Sequence, residues 1–334
     1  VFDPSQPCTA GAVMQSRFFQ VAAVHPLICV CDDFLSAEDC RVLIAAGAAG
    51  GRGPDGAKIR IDLDPKGLEP QAAAVLRRVD EEITTLTGQE CHEDELPWAL
   101  HFTPAGERDE GMSLGLHLDT NNSRTYRVVT AILYLNTVPA ASGGATVFPS
   151  AQRPGRIAAR RAWPALEAAQ RLEAAGLTHT GVARSALAAE EIQQAARTLL
   201  AGAEDVLRGG NRGVMVQPEE GRCCIFYTRS GSGAVDPWAF HGGASVFGDC
   251  AGKWTLQKFK EIPAAHRHSS AAVALHASSL RPLRPCVVGT TEFQVEDLKA
   301  SAEPRPCVAA EPERRRAGRE PARAGRDRLG RRAN

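Results

Sequence analysis

The sequence predicts a mainly β domain with flanking helices, an α+β fold whose core is a sandwich or barrel of short strands. Three observations carry that expectation. From Trp98 onward, apolar runs of strand length (ALHF, LGLHLD, RVVTAILYL, ATVF, GVMVQ, CCIFY, AFHGG and KWTLQKF) alternate with Gly, Pro and Asn, the pattern of many strands joined by turns. Helix-period segments precede them. An Ala-rich stretch between Ser150 and Gly213 interrupts the strand series and reads as a helical insertion.

Taken in order, residues 1–25 form an N-terminal extension, and Pro26 to Asp32 (PLICVCD) reads as an entry strand. Ser36 with Asp39 three residues on is a capping pair, opening a helix that is expected to stop at Gly47. A second helix fits Glu69 to Thr87, because Leu76, Val79, Ile83 and Leu86 recur at helical spacing before Gly88. The insertion holds two helical stretches, about Pro164 to Ala175 and Ser185 to Leu207. It is read as a cap outside the barrel, since it supplies no strand of the series. The main folded domain would span 26–263. Beyond Ala264 periodicity fades, and from Glu311 the chain is rich in Arg, Ala, Gly and Pro, so 264–334 is expected to be a disordered tail.

The 334 residues are 43% hydrophobic, with 39 Lys plus Arg against 39 Asp plus Glu. That balance excludes a whole-protein field aimed at nucleic acid or an anionic membrane, leaving only the basic tail as a local patch. No run reaches the roughly 18 to 20 apolar residues of a membrane span, and the start VFDPSQPC lacks the pattern of a signal peptide. The chain opens on Val1, so compartment stays open. Ten cysteines show no CxxC pair and no zinc-ribbon spacing. Cys29 and Cys31 would share a strand face, while Cys223 and Cys224 would point to opposite faces. Buried thiols and one or two disulfides are both compatible with these spacings.

The chemistry-bearing residues are His117 and Asp119, two apart in LGLHLDT, so that on a strand both side chains face one side. Two histidines and one carboxylate on one face of an octahedron form the usual cage of non-haem Fe(II) oxygenases. The third ligand must come from a distant strand, and His241 in DPWAFHGG follows a strand and a turn-prone loop. His101 has no acid at ligand spacing, and His266 and His268 lie where periodicity fades.

These motifs stand in a longer series. PLICVCDDFLSAEDC, then His117 and Asp119, then TAILYLNTV with GGATVFP, then GVMVQPEEGRCCIF, DPWAFHGG and GKW follow one another in the order of the prolyl 4-hydroxylase branch of the 2-oxoglutarate oxygenases. Over roughly residues 26 to 260, insertion excepted, the chain resembles that family. The resemblance implies a double-stranded β-helix (jelly-roll) core. It implies His117, Asp119 and His241 as iron ligands, Lys253 as the cation for the distal carboxylate of 2-oxoglutarate, and Thr146 as a hydroxyl beside that carboxylate. It also implies Fe(II), 2-oxoglutarate, O2 and ascorbate as cofactors, hydroxylation of a peptide or protein at proline as activity, and the endoplasmic reticulum as an allowed compartment.

Within GKW, Lys253 competes with Lys258; five residues apart on one strand, they face opposite sides. The intact Lys-Trp pair selects Lys253, with Trp254 packing outward. The departures concern substrate. Leu114 and Phe102 stand where the family has tyrosines, Phe259 where it has tryptophan, and the interval from His241 to Lys253 is slightly longer. Another amino acid, a nucleobase or a small molecule is therefore the alternative substrate, and a catalytically silent metal-binding β-barrel module the alternative of another class.

Overall fold

The computed structural model describes residues 19–49, 59–106, 115–120, 126–154, 163–183 and 188–279. In chain order the elements are β1 (Gln20–Val24), β2 (Leu27–Cys31), α1 (Ala37–Ala49), β3 (Ile59–Leu63), α2 (Pro70–Thr87), β4 (Trp98–Thr103), β5 (Arg127–Tyr134) and β6 (Thr146–Phe148). They continue as α3 (Pro164–Ala174), α4 (Thr180–Ala183), α5 (Glu190–Leu207), β7 (Val214–Val216), β8 (Cys223–Tyr227), β9 (Gly242–Gly243), β10 (Lys253–Glu261) and α6 (Ser270–Ser279). Leu114, the basic stretch from Glu311, and Cys8, Cys286 and Cys307 lie outside the described residues.

Two antiparallel sheets result. The larger has seven strands in the order β1-β2-β8-β5-β10-β4-β3, the smaller three in the order β7-β6-β9. β5 is central, and all eight of its residues are buried, as expected of a strand covered on both faces. On the outer face α1 and α2 lay Leu43, Leu76, Val79 and Ile83 over Leu100, Leu133, Ile225 and Leu256. On the inner face Ile132, Tyr134, Cys224 and Phe226 of the large sheet meet Phe148, Val214 and Val216 of the small one. The His241 ring packs on Phe148 and Phe226 on this inner side. Cys29, Cys31 and Cys223 belong to the outer core and Cys224 to the inner one, so the strand parity read from the sequence holds. Burial pushes the Cys29 and Cys40 thiols up to about 12. They act as small apolar packing groups.

The capping pair before α1 forms as expected: the Ser36 hydroxyl accepts from Asp39 N–H at 3.1 Å, and Asp39 Oδ2 accepts from Ser36 N–H at 3.0 Å. α1 does not stop at Gly47, however. It runs on to Ala49, and Gly47 serves packing instead, since a side chain there would collide with Leu100 of β4. α2 ends as read, with Gly88 in the left-handed region at φ 67° and its N–H bonded to the Thr84 carbonyl.

Three further expectations change. LGLHLD is not a ladder strand over its described part: His117 pairs through single bridges, to His241 on one side and His179 on the other. AFHGG keeps only Gly242–Gly243 as strand, after a 3-10 turn at Pro237–Ala239. Past Ala264 the chain is ordered again as α6, whose Val273 and Ala277 join the outer core. The insertion packs on the side of the small sheet that faces away from the large one, since Val147 joins its cluster while Phe148 joins the inner core. Its Ala169, Leu172, Ala196 and Leu199 form one apolar cluster with Leu116, Leu118, Ala145, Val147 and Phe240. Its helices are α3, α5 and the single turn α4, with α5 starting at Glu190.

Candidate metal centre

His117 and His241 face each other across a closed antiparallel bridge, each backbone N–H donating to the other's carbonyl at 2.8 and 3.0 Å. Directly opposed residues of such a pair project their side chains to the same side. Asp119, two residues beyond His117 where the chain bends, joins them there. Asp119 Oδ1 lies 3.4 Å from His117 Nε2, and Oδ2 lies 3.6 Å from His241 Nε2. The three donor atoms all fall within 4.8 Å of one another. Bonds of about 2.1 Å at right angles would set neighbouring ligands about 3 Å apart, so small side-chain adjustments close this set around one cation. The residues fit a divalent metal bound by two imidazoles and one carboxylate.

The ligand states suit that task. Burial alone would raise the Asp119 pKa, but the charges of His241 and His117, a hydrogen bond from His117 and the Arg127 guanidinium hold it below the usual carboxylate range. Thr130 Oγ1 adds a 2.6 Å hydrogen bond to Asp119 Oδ2. His241 is pushed down to about 4 by burial, against the pull of Asp119, so its ring is neutral at neutral pH. Nδ1–H donates to the Ala239 carbonyl at 3.0 Å, a tautomer assigned from this contact, which leaves the Nε2 lone pair toward Asp119. Phe148 and Phe226 pack on the ring at centroid distances of 5.3 and 4.6 Å. Asp119 and His241 are buried, whereas the His117 side chain is 31% exposed. The site therefore opens on the His117 side.

Deeper between the sheets lies a cationic and hydroxylic group. Lys253 is buried on the inner face of β10, its Nζ donating to the Gly144 carbonyl at 2.8 Å and lying 3.4 Å from where a Cβ on Gly243 would stand. Gly243 pairs in register with Thr146. Thr146 Oγ1 in turn accepts from Tyr134 Oη at 2.7 Å. Lys253 and Thr146 thus lie near one another, and Tyr134 joins them. Lys258 points the other way, to Glu95 at 3.2 Å and the Leu96 carbonyl. Phe102 also turns away, its ring 4.6 Å from that of Trp254.

Sequence reasoning passed over Tyr134, Thr130 and His101. The signal for the first two was available: in the apolar run RVVTAILY they stand four apart and so share a face. His101 pairs in register with Thr255, which places it on the Lys253 face of the sheet, and its buried Nε2 has no hydrogen-bond partner. Asp80, Cys91 and Glu95 form another grouping of ligand type. Lys260 Nζ already stands among them, 3.1 Å from Glu95 and 3.2 Å from Cys91 Sγ, so a protein cation fills that cluster.

A scan against protein-family models finds no match, and a search of curated proteins finds none. Solved structures that the chain is similar to include a viral collagen prolyl hydroxylase from Paramecium Bursaria Chlorella virus-1 in its 2-oxoglutarate complex, at 14% identity and TM-score 0.39, covering 70% of this chain and 94% of that one. A Pseudomonas putida prolyl-4-hydroxylase matches at 17% identity and TM-score 0.34, covering 71% and 93%. HygX from Streptomyces hygroscopicus, with nickel and 2-oxoglutarate bound, matches at 12% identity and TM-score 0.38, covering 71% and 84%.

Proposed function

We propose that this chain is a non-haem Fe(II)- and 2-oxoglutarate-dependent dioxygenase that hydroxylates a C–H bond, with the two facing sheets as its double-stranded β-helix. The observation that carries this reading is the convergence of His117, Asp119 and His241 on one side of a bridged pair, with a buried lysine deeper between the same sheets. Three protein donors leave half of an octahedron for co-substrate and dioxygen. Bound there, Fe(II) supplies the oxidation of a C–H bond coupled to conversion of 2-oxoglutarate to succinate and carbon dioxide.

The chain's own residues do the rest. His241 is kept neutral by burial and oriented by the Ala239 carbonyl, and Asp119 is kept ionised, so Nε2 and the carboxylate present lone pairs without a proton to lose. Lys253 receives the distal carboxylate of 2-oxoglutarate, with the Thr146 and Tyr134 hydroxyls beside it. Phe148 and Phe226 exclude water from the His241 side. Ascorbate fits this reading as a reductant that restores Fe(II) after unproductive turnover.

For substrate, the sequence resemblance favours peptidyl proline. The same chemistry on another amino acid, a nucleobase or a small molecule is favoured by Phe102, which faces Trp254 and brings no hydroxyl to the site. Succinate release on adding Fe(II) and 2-oxoglutarate tests the oxygenase, and its absence under saturating conditions would point to a silent metal-binding module. A panel of Pro-rich peptides and free amino acids, read by mass for the gain of one oxygen, then separates the substrates.

A further inference from the structure

The edge of the metal-ligand segment that does not face His241 is held by the insertion. Leu118 N–H donates to the Thr178 carbonyl at 2.8 Å and Thr180 N–H to the Leu116 carbonyl at 2.9 Å, on either side of the His117–His179 bridge. The Thr180 hydroxyl doubles this grip. It accepts from Leu116 N–H at 2.8 Å and donates to the Leu116 carbonyl at 3.2 Å. Thr180 is fully buried. Gly115 has φ 72°, and a Cβ there would stand 2.7 Å from the Thr180 hydroxyl, so the backbone approach requires glycine. The His179 ring stacks on that of His117, with centroids 6.0 Å apart and planes 21° from parallel, and its Nδ1 accepts from Gly181 N–H.

We propose that residues 177–181 of the insertion are part of the metal centre, with Thr180 positioning His117 and Asp119 through Leu116 and with His179 backing the His117 ring. The inference rests on the reading of His117, Asp119 and His241 as metal ligands. Its physical basis is that a ligand pair on a segment without a ladder keeps its geometry only if both edges are bonded. His241 bonds one edge, and the Thr180 hydroxyl is the side chain that completes the other. Residues that orient ligands from outside the coordination sphere typically contribute about 10- to 100-fold in metal affinity.

The test uses the full chain and Co(II) alone, with the dissociation constant and the cobalt absorption spectrum as readouts and the melting temperature of the metal-free protein as control. Thr180→Val keeps the shape and removes the hydroxyl. It is expected to weaken Co(II) by about 10- to 100-fold and to change the spectrum, with Thr180→Ser restoring both. A purely structural role would lower the metal-free melting temperature and leave cobalt affinity unchanged, and that result overturns the proposal. If Thr180→Val does not fold, His179→Ala at the half-buried edge carries the test, with a changed spectrum and an affinity loss of several-fold expected and identity with the parent protein overturning it. Failure of the unaltered chain to bind Co(II) at all would refute the metal-site reading itself, and this inference with it.

Discussion

β10 carries three buried lysines, and its two faces put them to different uses. Lys258 and Lys260 lie on the outer face, against α2 and the segment before β4, where Glu95 Oε2 sits 3.2 and 3.1 Å from their ammonium groups and Asp80 3.8 Å from that of Lys260. Lys253 lies on the inner face, donates to the Gly144 carbonyl, and stands beside Gly243, the register partner of Thr146, whose hydroxyl meets Tyr134. The outer pair belongs to an ion network that joins a helix, a loop and a strand. On the proposed function, the inner one receives the co-substrate carboxylate. Burial of a lysine therefore says little about its role until its face is known.

The inner face is broken most completely through the ligands. Asp119→Ala removes the carboxylate shared by both histidines, so succinate release should vanish and Co(II) binding should be lost. Far-ultraviolet circular dichroism should stay that of the parent. Retention of most of the decarboxylation would place the iron elsewhere.

Next in size is the contrast within β10. Lys253→Ala would leave the distal carboxylate of 2-oxoglutarate without its cation, a loss of about 3 to 5 kcal/mol, or roughly a hundred- to several thousandfold in affinity. Anaerobic titration with Fe(II) present measures it. Lys258→Ala in the same assay should leave the dissociation constant near that of the parent, and weakening in that variant alone would move the anchor to the outer face. Conversely, Lys260→Ala takes a fully buried cation from between Asp80 and Glu95. Breaking a buried pair costs about 3 kcal/mol or more, visible in urea unfolding, while 2-oxoglutarate affinity should stay the same.

The two faces also differ in how far they could be read in advance. HxD spacing, the later histidine and the Lys-Trp pair are local patterns, and strand parity alone separates residue 253 from 258. The first two brought His117, Asp119 and His241 together as candidates, while Lys253 over Lys258, and Thr146, rested on the family resemblance. The grip of Thr180 on Leu116 is not local: it spans 64 residues and depends on how the insertion folds back. An Ala-rich helical stretch therefore read as an excursion. Gly47 misled for a related reason, since a glycine that ends a helix and one that lets a helix lie on a sheet look alike until the partner, Leu100, is in place. His101 was discounted for lacking a nearby acid, a rule suited to metal ligands but not to a residue facing the lysine side of the same space.

His101 gives the smallest effect, and it sharpens the comparison by pH. Burial, with repulsion from Arg60 and Lys253 outweighing the pull of Asp62, pushes it down to about 4 from 6.5. In the unfolded chain it takes up a proton as pH falls through about 6.5, while in the folded chain it stays neutral to about pH 4. The unfolded state thus binds more protons in that window, so stability must fall as pH drops from about 6.5 to 4 and level off below. His241 contributes in the same direction, having the same depressed value. Asp119, held below the usual carboxylate range, contributes only at lower pH. His101→Leu should therefore reduce the slope of stability against pH between 6.5 and 4 without abolishing it, as read by urea unfolding of metal-free protein in chelator. An outer-face substitution such as Lys258→Ala should leave that slope as it is. An undiminished slope in His101→Leu would mean that this ring titrates normally and is open to solvent.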